Sequence, residues 1–165
     1  MIKRIIINAL ILLAIVTLQY TNLIQFIAFR EVIPDILFII VLLNGIFIDP
    51  MFAMIFGVAG GLLFDVMGGG IVGFNGLIYA TIGYLTFLPQ KRIDIDNTIL
   101  HILAFLFYFI IKVAVYLVMG SIFMENAELG DYLKNRLLIE LAYTLLLSIP
   151  IFHIYHKVCS RKNGF

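Results

Sequence analysis

Apolar residues run almost without interruption along this chain, and its few charged, proline and glycine positions cut them into stretches of similar length. A helix needs about 20 apolar residues to cross a hydrocarbon core about 30 Å thick. The stretches predict spans over residues 5–24, 34–48, 50–67, 71–88, 97–120 and 133–156. Because backbone polar groups in lipid must be satisfied within the chain, such runs are helices. The expected architecture is all-α: one integral membrane domain over residues 1–165, a polytopic bundle of about six transmembrane helices.

The breaks between runs have local causes. Pro34 suits the first turn of the second span, where its missing N–H has no partner in any case. Gly68, Gly69 and Gly70 allow a turn so tight that the third and fourth spans form a hairpin. Pro89 ends the fourth span, and Asp94, Asp96 or Asn97 can cap the fifth. Pro150 removes a donor within the sixth and predicts a kink there. The first run is too long for the apolar region of a signal peptide and is expected to remain as a span.

Composition supports the same picture. The chain of 165 residues is 63% hydrophobic and 13% charged, with mean hydropathy +1.11, against about 25% charged in soluble domains. A net charge of +1 with scattered basic residues gives no face for nucleic acid. Its Lys and Arg residues report orientation instead. With the N-terminus in the cytoplasm, the inner segments hold Lys3, Arg4, Lys91, Arg92, Lys157, Arg161 and Lys162, and the outer loops hold Arg30, Lys134 and Arg136. That asymmetry predicts cytoplasmic N- and C-termini. Cys159 is the one cysteine, so no internal disulfide forms.

Polar residues inside the runs are the informative ones. Ala53, Gly57, Gly61 and Asp65 recur every four positions and share a helix face, as do Gly73, Gly76, Ala80 and Gly83 on the next span. Small faces of this kind let helices approach closely in lipid. On the fifth span His101, Phe105, Tyr108, Lys112 and Tyr116 share a face, and on the sixth Glu140, Thr144 and Ser148 do so. Chain direction puts Asp65, Lys112 and Glu140 at similar depths. An unpaired charge at mid-helix costs about 2.5 to 3.5 kcal/mol on insertion scales, so Lys112 is expected to pair with Asp65 or with Glu140. Arg136, one turn away on the same helix, is an alternative partner for Glu140. The role expected of the pair is fixing helix register.

Chemistry of other kinds finds little support. His153 and His156 have no third ligand nearby in sequence and read as interfacial, and Asp94 and Asp96 read as helix caps rather than a metal pair. Neither HExxH nor GxSxG is present, and Ser121, Ser148 and Ser160 lack a nucleophile context. The paired-aspartate settings of an intramembrane protease are missing too. No enzyme activity, cofactor or metal is expected.

Residues 34–84 carry a pattern: Pro34-Asp35, then Gly57, Gly60-Gly61-Leu62-Leu63-Phe64-Asp65, the glycine turn, Gly73, Asn75-Gly76-Leu77-Ile78-Tyr79 and Gly83-Tyr84. In this it resembles the bacterial rod shape-determining protein MreD family. The resemblance marks Pro34, Asp35, Gly57, Gly61, Asp65, Gly73, Gly76 and Tyr79 as structural or interaction residues, beside Lys112 and Glu140 inside the fifth and sixth spans. It implies a non-catalytic subunit of the cell-elongation complex that binds the bitopic protein MreC. Through MreB, RodA and a class B penicillin-binding protein, it would support cell shape and peptidoglycan synthesis. The family is also similar in fold to the substrate-binding S components of energy-coupling-factor vitamin transporters, which makes such a component the alternative. Ala9 and Ala14 stand five apart on the first span, where an S component would be expected to have an Ala-x-x-x-Ala face.

Overall fold

The computed structural model describes Thr17 and residues 32–88, 98–123 and 126–160. The expected first span, with Ala9 and Ala14, lies outside the described residues. So do the capping candidates Asp94, Asp96 and Asn97, and most of the basic residues that argue for orientation.

The described chain is helical. Helix α1 (Ile36–Phe47) is capped by Asp35, whose Oδ1 accepts from the Phe38 N–H at 2.8 Å. Pro34 therefore precedes the helix and is not in its first turn, because the aspartate side chain satisfies a free N–H that proline cannot. Residues 37–45 of α1 are all buried. A helix apolar on every side is an interior helix, and the others pack around this one.

At the far end of α1 the Asn44 carbonyl accepts from Ile48 and Asp49 N–H groups, at 2.9 and 3.0 Å. Asp49 then caps α2 (Pro50–Gly68), with Pro50 at the start of the helix. Gly69, at φ 66°, ends α2 in the left-handed conformation that glycine adopts without strain. Gly73, at φ 94°, opens α3 (Phe74–Leu85). The fourth predicted span, 71–88, is thus shortened at both ends: its first residues belong to the turn, and residues 86–88 form a further turn. Gly73 accordingly lies outside the helix rather than on its small-residue stripe.

The hairpin is as close as the small residues predict. A Cβ on Gly57 would stand 2.7 Å from the Tyr79 carbonyl oxygen, and one on Gly83 would stand 2.6 Å from the Ala53 carbonyl carbon. A Cβ on Gly61 would overlap the Gly76 backbone. Without side chains at these points, α2 and α3 meet backbone to backbone.

Helix α4 (Thr98–Phe123) follows, then a short α5 (Asn126–Asp131), a π-helical turn (Tyr132–Arg136) and α6 (Leu137–Ser160), which contains Pro150. Much of what was expected to be a loop ahead of the sixth span is therefore helical. The Leu137 N–H reaches back five residues to the Tyr132 carbonyl, the signature of the π turn. Inside the bundle Phe38 meets Phe105 and Phe109 edge to face at 5.3 and 6.0 Å, and His101 stacks on Phe152 at 4.2 Å.

Outside, α4 exposes Ile99, Leu103, Phe107, Ile110, Val118 and Ile122. An apolar face of this extent does not suit water. Three segments, Pro50–Gly68, Thr98–Phe123 and Leu129–Lys157, are long and apolar enough to cross a bilayer, and α1 is a shorter apolar helix. This is a membrane protein.

Candidate functional site: a buried ion triad beside a recess

The polar residues inside this apolar bundle converge at the starts of α1 and α6, the middle of α3 and the C-terminal half of α4. Lys112 projects inward from α4 and is 6% exposed. Its Nζ donates to Asp35 Oδ2 at 2.5 Å and to Glu140 Oε1. The Phe38 and Phe109 rings lie 5.4 and 5.5 Å from the same nitrogen and add a cation–π contribution. One ammonium therefore joins α1, α4 and α6.

Neighbouring side chains complete the carboxylates. The Tyr79 hydroxyl of α3 donates to Asp35 Oδ2 at 2.8 Å, and the Tyr132 hydroxyl donates to Glu140 Oε2 at 2.9 Å. The Asp35 backbone N–H donates to Thr144 Oγ1 at 3.1 Å. Buried charges persist only when paired and hydrogen-bonded, and each of these three groups is both. One step further along the same interface, His101 Nε2 and Ser148 Oγ lie 3.3 Å apart.

Asp65 has a different role. Its carboxylate accepts from the backbone N–H groups of Gly73 (2.8 Å), Asn75 (3.2 Å) and Gly76 (3.4 Å), and from Asn75 Nδ2 at 2.7 Å. An anion at a helix N-terminus meets unpaired donors and the positive end of the helix dipole. Asp65 thus ties the end of α2 to the start of α3. Of the two partners expected for Lys112, Glu140 makes the contact and Asp65 does not. Asp65 lies in the last turn of α2, near backbone donors that satisfy it without a cation. Arg136 is not the partner of Glu140 either; its Nε is 3.3 Å from Asp131 Oδ2, and both side chains are about half exposed.

The partner missed at the sequence level is Asp35. It was legible, because the second span runs opposite to the fifth and puts Asp35 near the depth of Lys112. In the sequence it stands out only as part of the Pro34-Asp35 pattern. Tyr132 gave less sign, since its inward position depends on the π turn.

Beside the triad lies a recess of about 380 Å³. Its walls include Val32, Ile33 and Pro34 before α1, Phe64 and Asn75 from the hairpin, and Tyr116, Tyr132 and Arg136. The Tyr116 and Tyr132 rings are 4.3 Å apart at their centroids. Among the described residues no three of His, Cys, Asp and Glu gather as metal ligands. His153 is exposed, with Nδ1 2.8 Å from the Ile149 carbonyl oxygen, and His156 packs on Phe47 and Phe152.

The arrangement holds helices in register and presents a polar, aromatic recess; it carries no activated nucleophile among the groups described. No curated protein and no solved structure matches the chain. Residues 2–158, nearly the whole length, match the family described as rod shape-determining protein MreD. The chain belongs to that family of membrane proteins, whose role is in setting rod shape.

Proposed function

We propose that this chain is the non-catalytic, multi-pass subunit of a bacterial cell-elongation complex, seated in the inner membrane with about six spans and cytoplasmic ends. It binds an MreC-like bitopic protein and acts through it with MreB, RodA and a class B penicillin-binding protein in peptidoglycan synthesis. The family match over residues 2–158 is the observation that carries this reading. The triad supports it, because its charged groups bond to one another and to backbone or tyrosine rather than standing as an exposed catalytic set.

The test is recovery of the tagged chain from native membranes in mild detergent. Co-purification of a single-span MreC-like protein is expected. The second reading, an S component of a vitamin transporter, draws on the recess, whose volume is near the lower end for small-molecule sites. Recovery of a vitamin and an ATPase module without the bitopic protein would replace the first reading with the second.

A further inference from the structure

Two carboxylates face one ammonium in the triad, so with all three ionised the group carries one negative charge in excess. Arg136, the other basic residue lining the recess, is drawn outward to Asp131. Counting Arg136 and Asp131 leaves the same excess of one across these five groups. In an apolar interior such an imbalance favours a second cation far more than it would in water.

The hydrogen-bonding capacity left over has the same sense. Tyr79 and Tyr132 each give their hydroxyl proton to a carboxylate and keep oxygen lone pairs as acceptors. Asn75 gives an amide proton to Asp65 and keeps its carbonyl oxygen. These acceptors stand around the recess beside the N–H groups of Arg136. A group rich in N–H donors complements these acceptors and the excess charge of the triad. The paired rings of Tyr116 and Tyr132 offer aromatic faces to a cation, and Val32, Ile33 and Phe64 offer apolar wall to an alkyl stem.

We infer that the recess beside Asp35, Lys112 and Glu140 is a binding site for an organic cation, the guanidinium or ammonium end of a basic side chain from a membrane partner. The identity of the source rests on the proposed function; the cation site does not. Filling the recess brings the second positive charge and joins the partner to three helices at once.

The experiment uses the purified full chain in detergent with methylguanidinium chloride as probe, against sodium chloride at equal ionic strength. Eight tyrosines and no tryptophan make tyrosine emission the readout of both binding and thermal unfolding. Saturable binding with a raised melting temperature is expected, weakened roughly tenfold in Glu140→Gln, where the charge excess is gone. Tyr116→Leu, which leaves the triad whole, guards against misfolding of the first variant and is expected to bind several-fold more weakly. Absence of saturable binding, or equal binding in all three proteins, overturns the site. Methylguanidinium should also release the co-purified bitopic protein. Binding of the probe without that release assigns the recess to a free small cation and overturns the partner source. If no bitopic protein co-purifies even without the probe, the proposed function fails while the cation site is still judged by the titration.

Discussion

Lys112 and Asp35 stand 77 positions apart in the chain and meet at 2.5 Å inside the bundle. Their contact fastens the start of the interior helix α1 to the C-terminal half of α4, and Glu140 extends it to α6. Removing the cation leaves two buried carboxylates facing each other. Lys112→Met is therefore expected to lower stability by about 3–5 kcal/mol, read from unfolding of the detergent-solubilised protein. Neutralising the acids as well, with Asp35→Asn and Glu140→Gln, should recover much of that loss; no recovery would mean that the lysine acts through packing.

The hairpin makes a contrast between glycines that look alike in sequence. Gly61→Ala forces a methyl group against the Gly76 backbone and is expected to cost about 1–3 kcal/mol. At Gly70 a Cβ meets nothing within 4 Å, and Gly70→Ala should change stability by less than about 0.5 kcal/mol. Melting temperatures of the two variants decide the matter. Equal effects would argue against the close α2–α3 contact.

Asp65 is expected to behave as a helix cap. Asp65→Asn keeps an acceptor for the Gly73 and Asn75 N–H groups but loses the charge at the start of α3, an effect of about 1 kcal/mol. Asp65→Ala, which leaves those donors without the carboxylate, should cost about 1–3 kcal/mol. Hydrogen exchange at Gly73, Asn75 and Gly76 should rise in the alanine variant. Unchanged exchange there would contradict the cap.

Tyr79→Phe removes one hydroxyl and nothing else from the triad. A hydrogen bond to a charged group is worth about 1.5–3 kcal/mol, and the Asp35 bond at 2.8 Å is of that kind. A loss in that range, measured by thermal unfolding, is the expected outcome, and a neutral effect would place the hydroxyl outside the network.

Much of this was legible in the chain itself. The long apolar runs mark α2, α4 and α6, and spacing by four picks out Ala53, Gly57, Gly61 and Asp65 as an inward face. The face of His101, Phe105, Tyr108 and Lys112 is likewise buried. What escaped depends on tertiary distance or local backbone. Asp35 finds its cation across 77 residues, a relation that chain direction allows by depth but that no periodicity records. Run length alone placed Asp65 beside Lys112, but the turn at Gly69 and Gly73 turns backbone donors toward its carboxylate first. Tyr132 reaches Glu140 from a π turn, and nothing in hydropathy distinguishes that turn from a loop.

The central claim, that Lys112 locks α1 to α4 and that Asp65 belongs to a separate device, is tested most directly by two double-mutant cycles on unfolding free energy in detergent. Lys112→Gln with Asp35→Asn should show a coupling above about 1.5 kcal/mol, whereas Lys112→Gln with Asp65→Asn should be additive within about 0.5 kcal/mol. Strong coupling to Asp65 with additivity at Asp35 would contradict the account.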